Sequence, residues 1–185
     1  MALPAWTIGH DPTRKIVCIS CNNDIAAKFA NDFRAVVGAP WFRLAFPTAV
    51  ISNRKNTESE TIFTAGGFRL GTSIGGGITG RGGDTVICDD PLKAQDANSE
   101  ARRETANHTL QSTVISRLDD KKRGSIIVGM QRLHANDFVG SLTRNRDRDD
   151  TGHTQLHYSL VDGFGTSVSN LGTKAGMRNE RAIGR

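Results

Sequence analysis

The chain has 185 residues, three cysteines and a formal net charge of +5, which suits one α/β domain and excludes a disulfide framework. Its lysines and arginines are spread along the whole length, so the charge permits an anionic partner such as nucleic acid without identifying one. No apolar run approaches the roughly 20 residues that span a bilayer, and "MALPAWTIGH" is a poor signal peptide because it has no basic n-region and carries Pro4. We therefore expect a soluble, cytoplasmic protein.

The first predicted strand is "KIVCIS", residues 15–20, which is short, apolar and β-branched. Asn23 or Asp24 is expected to cap the helix that follows. Spacings of four, four and three define its apolar face, which is formed by Ile25, Phe29, Phe33 and Val36. A strand followed by an amphipathic helix is one step of a βαβ unit.

Two strand-like runs surround Gly66 and Gly67 in "SETIFTAGGFRLGTSI", and this pattern predicts a β-hairpin. A glycine-rich segment, "GGGITGRGG", comes next and leads into a third apolar run, "DTVICDD". Asn98 or Ser99 is expected to cap a second helix. The apolar stripe of that helix is predicted to contain Leu110, Val114 and Leu118.

The rest of the domain is predicted to contain a strand in "RGSIIVGM" and a short helix in "ANDFVGSL". Strands near positions 16, 86 and 127, separated by helices, indicate an α/β fold with a mainly parallel sheet and an inserted hairpin. Ligands of such sheets bind beyond the carboxyl ends of the strands. The residues expected at that end are Asp89, Asp90, Gly129 and Gln131.

Two adjacent carboxylates at the end of a parallel strand can work together on a nucleotide. Asp89 would hold Mg²⁺, and Asp90 would orient the water that attacks the γ-phosphate. The alternative is that both residues cap a turn before Pro91. The preceding glycines favour the first interpretation because they let the backbone approach a ligand, while Arg81 adds a cation for phosphate oxygens. A plain surface loop remains the other interpretation of this segment.

A phosphate-binding loop of the form G-x-x-x-x-G-K-[ST] is absent from the sequence, because no lysine is followed by Ser or Thr. The segment "GGGITGRGG" does not replace it. That segment precedes a strand, whereas a phosphate loop follows a strand and opens a helix.

The segments "GGFRLGTSIGGGITGRGGDTVICDDPLKAQDANSEARRET" and "RGSIIVGMQRLHANDFVGSL" resemble the ATPase domain of the large terminase subunit of tailed bacteriophages. That family pumps viral DNA into the procapsid, and the similarity runs from about Ala2 to about Leu142. Its members have an N-terminal RecA-like ATPase domain and a C-terminal metal-dependent nuclease domain. The resemblance implies a partial RecA-like P-loop NTPase fold over residues 1–143. Residues 144–185, rich in charge, glycine and serine, are expected to be largely disordered apart from a strand in "TQLHYSLV".

The segment "TVICDD" resembles the Walker B strand of the family, which implies that Asp89 is the Mg²⁺ ligand and Asp90 the equivalent of the catalytic glutamate. An aspartate at the second position is a departure, since its shorter side chain must reach the water from a different backbone position. "IIVGMQRLH" is similar to the motif that couples ATP hydrolysis to DNA movement. Gln131 is the residue named for that role.

The segment "TGRGGD" resembles the arginine-bearing loop before the Walker B strand. Arg81 is accordingly expected to contact phosphate or to act in coupling, and the glycines on either side of it, Gly80 and Gly82, are assigned to nucleotide binding. The cofactors implied by the resemblance are ATP and Mg²⁺. The implied partners are double-stranded viral DNA, the small terminase subunit and the portal, with no membrane.

The segment "ALPAWTIGHDP" resembles the part of the family that follows the phosphate loop, and the nuclease carboxylates would lie beyond residue 185. We therefore expect a truncated large subunit that is deficient in ATP hydrolysis. One alternative is a non-catalytic module that binds DNA or other packaging proteins, for which the basic segment "RLDDKKRG" is the motive. The other is a small metal-dependent nuclease built on Asp84, Asp89 and Asp90.

Overall fold

A computed structural model of the chain describes residues 2–53, 56–74, 76, 81–114, 116–141, 157–161 and 167–171. Its helices are α1 (Ala2–His10), α2 (Asn23–Gly38), α3 (Pro40–Ala45) and α4 (Glu100–Thr109). Its strands are β1 (Lys15–Ser20), β2 (Glu60–Ile62), β3 (Phe68–Ser73), β4 (Thr85–Asp89), β5 (Ser125–Gly129), β6 (His157–Val161) and β7 (Ser167–Leu171). Shorter helical pieces are a 3₁₀ turn at Ala94–Asp96, a π-helical segment at Leu110–Val114 and a turn at residues 138–141.

Five strands form one mixed sheet in the order β2-β3-β1-β4-β5. The strands β3, β1, β4 and β5 are parallel, and β2 is antiparallel to β3. The prediction of an α/β fold with a mainly parallel sheet and an inserted hairpin is therefore confirmed. No helix in the described ranges is both long and apolar enough to cross a membrane.

Strand β1 is the centre of the sheet and is covered on both faces, as its unbroken apolar sequence requires. On one face, β1 packs under α1, α2 and α3 in a core that includes Ile8, Ile16, Phe33, Phe42 and Phe63. On the other face, the helical pieces after β4 and β5 supply a second core that includes Val17, Val86, Leu110, Val114 and Phe138. The sheet is thus the middle layer of three, which leaves its strand ends as the accessible places for a ligand.

Helix α2 differs from the prediction in its cap and in its buried face. Asn22 is the cap, and its Oδ1 accepts a 2.8 Å hydrogen bond from the Ile25 N–H, so neither Asn23 nor Asp24 has that role. Only Phe33 of the predicted stripe is buried. The buried positions are Ala26, Ala30, Phe33 and Val37. Alanine has a short side chain that lets the helix lie close to the sheet, and the larger Ile25, Phe29 and Val36 flank the contact.

The predicted hairpin is confirmed, with β2 and β3 joined through Gly66 and Gly67. Gly66 has φ of 96°, a left-handed conformation that glycine adopts without steric cost. Gly67 lies against the backbone that enters β1: its N–H donates to the Pro12 carbonyl at 3.1 Å. The hairpin is thereby attached to the start of the central strand.

We expect Gly67→Ala to lower the free energy of unfolding by about 1–3 kcal/mol, because the new methyl group would overlap backbone that cannot rotate away. The added Cβ would lie 2.5 Å from the Arg14 carbonyl oxygen and 2.7 Å from the Thr13 carbonyl carbon. Gly38→Ala is the matched control, since a Cβ there has nothing within 4 Å and sits in helix α2. Urea unfolding followed by circular dichroism should show the control unchanged or stabilised by up to ~1 kcal/mol. Equal losses in both variants would contradict the packing argument.

The second predicted helix is interrupted. Ser99 is the N-terminal flanking residue of α4, but its side chain makes no capping hydrogen bond. Helix α4 ends at Thr109 and passes directly into the π-helical segment. Leu110 and Val114 are nonetheless buried at 1 % exposure, and Leu118 packs against the same core. The predicted stripe is therefore correct in its residues, although they do not lie on one regular helix.

Residues 144–185 contain two described strands, β6 and β7, which pair antiparallel. Strand β6 lies within the predicted run "TQLHYSLV", whereas β7 was not predicted. The other residues of this segment lie outside the described ranges. Helices α1 and α3 are also additions to the elements predicted from sequence.

Candidate functional site

The parallel strands end side by side at one edge of the sheet, which we call the carboxyl edge. The register places Ser20 opposite both Ser73 and Asp89, and Asp89 opposite Gly129. Register partners of parallel strands point to the same face of a sheet, so the two serines and Asp89 form a row. Ser20 and Ser73 are buried. Sequence reasoning missed both serines. Ser20 could have been found because it ends the apolar run "KIVCIS", whereas Ser73 ends no such run.

Asp89 is the last residue of β4 and is half-buried. Burial is the largest cause that raises the pKa of its carboxyl above the ordinary value, and the neighbouring charge of Asp90 raises it further. The folded protein therefore holds this carboxylate in surroundings that do not favour its negative charge. A bound cation would relieve that cost.

Asp90 turns the chain away from β4 in a left-handed conformation, with φ of 42°, which aspartate tolerates better than most residues. Its N–H donates to the Gly129 carbonyl at 2.8 Å. Its Oδ1 accepts the Gln131 N–H at 3.3 Å. The carboxylate is thus hydrogen-bonded to the segment that follows β5. A residue that only capped a turn before Pro91 would not need this contact. The prediction that Asp89, Asp90, Gly129 and Gln131 meet at one edge is confirmed.

Arg81 lies away from these carboxylates. Its Nη2 is 2.8 Å from Glu60 Oε1 and 3.1 Å from Oε2, and its guanidinium lies 5.3 Å from the centre of the Phe68 ring. Glu60 is buried, so this ion pair fixes the arginine beside the start of β3.

The described residues on either side of the glycine-rich segment lie at opposite edges of the sheet. Ser73 ends β3 at the carboxyl edge, whereas Asp84 lies at the opposite, amino edge, where its N–H donates to the Lys15 carbonyl at 2.8 Å. Strand β4 has five residues and so separates the edges by about 16 Å. The structure therefore does not bring Arg81 together with Asp89 and Asp90.

The two glycines assigned to nucleotide binding do not join the carboxyl edge either. Gly82 is beside Arg81, and a Cβ at Gly82 would collide with the Asp119 side chain of the amino edge. Gly80 lies outside the described residues.

Asp84 also lies at the amino edge, where its Oδ2 accepts the Lys15 N–H at 3.0 Å. The length of β4 stands between this carboxylate and those of Asp89 and Asp90, so the three cannot share one metal ion. The hypothesis of a nuclease centre built on these three residues is therefore wrong. Within the described ranges, no group of three or more His, Cys, Asp and Glu side chains is placed to hold a metal.

The basic segment "RLDDKKRG" forms a turn at the amino edge. Asp119 pairs with the Lys15 ammonium at 3.0 Å, and Asp120 Oδ1 accepts the Lys122 N–H at 2.8 Å. A polar cleft of about 450 Å³ opens beside this turn, lined by residues that include Asp11, Arg14, Asp84 and Arg123. Carboxylates and cations alternate there, and the cleft is separated from Asp89 by the length of the sheet.

Neither a scan against protein-family models nor a search of curated proteins finds a match to this chain. The carboxyl edge joins Asp89, Asp90 and the Gln131 amide and leaves Arg81 and Gly82 at a distance.

Proposed function

We propose that residues 2–141 form the Walker B part of a RecA-like ATPase domain of a phage terminase large subunit. The observation that carries the proposal is the position of Asp89 and Asp90 at the carboxyl end of β4, with Asp90 hydrogen-bonded to Gln131 from the exit of β5. Ligands of parallel α/β sheets bind at this end. Two neighbouring strands thus bring two carboxylates and the backbone amide of Gln131, all from the resembling motifs, to one place.

In this function Asp89 holds the Mg²⁺ of a nucleotide, a role that suits a hard carboxylate oxygen. The fit is supported by the half-buried position of Asp89 and by the raised pKa of its carboxyl, since a divalent cation would offset the crowded charge. Asp90 would orient the attacking water, and the hydrogen bond that it accepts from the Gln131 amide connects it to the segment after β5. The metal would supply charge neutralisation for the phosphates.

We further propose that the chain by itself hydrolyses ATP poorly. Its sequence contains no phosphate-binding loop, and Arg81, the cation that precedes the Walker B strand, is paired with Glu60 beside the start of β3. Removal of a comparable electrostatic donor costs about 10²–10³ in rate. The partners in this proposal are double-stranded viral DNA, the small terminase subunit and the portal, as the resemblance implies.

The proposal is tested by titrating the full chain with Mn²⁺, followed by electron paramagnetic resonance, together with an assay of phosphate release from ATP. We expect Mn²⁺ to bind the wild-type protein, binding to be lost in Asp89→Asn, and ATP turnover to stay close to background. Asp84→Asn is the matched control, because it removes a carboxylate just before the same strand at the opposite edge. Absent binding, or binding that survives Asp89→Asn, would refute the metal site. Turnover at the rate of a packaging motor, abolished by Asp89→Ala, would refute the deficiency.

A further inference from the structure

Asp137 is a carboxylate with no solvent exposure in the segment between β5 and the helical turn at residues 138–141. Its two oxygens accept different sets of hydrogen bonds. Oδ1 accepts the Gly140 N–H at 2.9 Å. Oδ2 accepts three donors: Arg132 Nε at 2.9 Å, the Leu133 N–H at 3.2 Å and the His134 N–H at 3.4 Å.

The bond of Oδ1 has the form of a helix cap, since it accepts an amide three residues later at the start of the helical turn. The bonds of Oδ2 have no such explanation, because their donors all precede Asp137. They draw residues 132–134 around one buried charged oxygen and so curl the segment that leaves β5. Bonds that include a charged group are shorter and stronger than neutral ones, and burial increases their effect.

The curled segment begins one residue after Gln131, whose N–H donates to Asp90 Oδ1. The curl therefore restrains the backbone directly next to the amide that faces Asp90. Close packing restricts the curl further, because a Cβ at Gly140 would overlap the Ala135 carbonyl oxygen and lie 3.0 Å from Arg132 Nη2. The helical turn and the curl thus support one another around Asp137.

We propose that Asp137 is a positioning residue for the carboxyl edge: its Oδ2 holds residues 132–134 in the curl that keeps the Gln131 amide on Asp90. The functional meaning of this contact rests on the proposed function, in which Asp90 and Gln131 serve the nucleotide. The structural effect of Asp137 on Gln131 stands independently of that function. Because Asp137 is fully buried, its proposed effect on the carboxyl edge is exerted through residues 132–134.

Asp137→Asn separates the two tasks of the side chain. The side-chain carbonyl oxygen of asparagine can still accept the Gly140 N–H. The side-chain NH₂ group takes the place of Oδ2 and cannot accept hydrogen bonds from the three donors there. Asp137→Ser is the second variant, since serine also caps helices but has no second oxygen. Asp120→Asn is the control, because Asp120 also accepts a local backbone bond, in the turn at the amino edge.

The readout is amide hydrogen exchange by nuclear magnetic resonance on the full chain. We expect exchange at Gln131 to accelerate roughly tenfold in both Asp137 variants, as for the loss of one hydrogen bond, with Gly140 little changed. Asp120→Asn should leave Gln131 as in the wild type. Unchanged exchange at Gln131 in a folded Asp137 variant would overturn the proposal and leave Asp137 as a helix cap only.

Paramagnetic broadening by Mn²⁺ then distinguishes this proposal from the proposed function. In the wild type and in Asp137→Asn alike we expect Mn²⁺ to broaden the amides of Asp90 and Gln131, because Gly129, two residues before Gln131, pairs with Asp89. The exchange rate of the Gln131 amide, and not its broadening, therefore reports the positioning role. If Mn²⁺ broadens neither amide in the wild type, the metal site fails, and the exchange rates still decide the role of Asp137.

Discussion

Phe33→Ala is expected to lower the free energy of unfolding by about 3–5 kcal/mol, the usual cost of removing a buried phenylalanine side chain. Phe33 has no solvent exposure, and its ring meets that of Phe63 edge-on with 6.3 Å between centroids. The Arg69 guanidinium, also buried, lies 5.7 Å from the centre of the same ring. Alanine would leave a cavity between helix α2 and the sheet, which the central strand cannot move to fill.

Phe29→Ala in the same helix is the matched control, since it removes the same atoms from a side chain that is only partly buried. Urea unfolding of the full chain, followed by circular dichroism, gives both free energies of unfolding. The comparison holds when the two variants have the same dependence of this free energy on urea concentration. The loss in Phe29→Ala should be clearly smaller. Equal losses would mean that the stripe predicted from sequence, and not the buried face of the structure, describes the contact with the sheet.

Helix α2 shows how far periodicity alone can determine packing. The spacing of large apolar side chains predicted the helix and its length well, and it placed Phe33 in the core. It could not find the contact face, because Ala26 and Ala30 carry little hydrophobic signal and yet lie where the helix comes closest to the sheet. The distance between a helix and a sheet depends on the smallest side chains between them, which a pattern of large residues does not record.

The carboxyl edge was predictable because parallel strands bring their ends to the same side. Apolar runs that end in polar residues were enough to place Asp89 and Asp90 beside the exit of β5. Arg81 was not predictable in the same way. The pattern of "GGGITGRGG" does not predict at which edge of the sheet Arg81 lies. Its partner is Glu60, which comes from a strand 21 residues earlier.

Asp137 was missed for a related reason. Its sequence context, "HAND", reads as the start of a short helix, and a capping aspartate there is ordinary. The three further bonds to Oδ2 come from residues before it and require the chain to curl back. Only the folded arrangement shows that one carboxylate serves both the helical turn and the segment that carries Gln131.

Asp89→Asn should be at least as stable as the wild type at neutral pH without divalent cations, and less stable than the wild type when Mg²⁺ is saturating. Folding raises the pKa of the Asp89 carboxyl above its ordinary value of 3.8, so the folded state binds this proton more tightly than the unfolded state. The stability that comes from this proton is therefore fully present below the ordinary pKa. It is lost as the pH rises through the raised pKa, and at neutral pH the charge opposes folding.

The asparagine variant carries no such charge, so its advantage over the wild type should vanish as the pH falls below the pKa of Asp89. In the proposed function Mg²⁺ binds the folded wild type, so it should reverse the order at neutral pH, with a stabilisation of about 2.7 kcal/mol at a concentration of 100 times Kd. Urea unfolding of wild type, Asp89→Asn and Asp84→Asn, with and without Mg²⁺, measures these differences. Asp84→Asn should keep the full Mg²⁺ effect. A wild type whose free energy of unfolding does not rise with Mg²⁺ would contradict a metal site at Asp89. The raised pKa of this carboxyl would then reflect burial and the charge of Asp90 alone, because a bound cation would have offset the unfavourable charge.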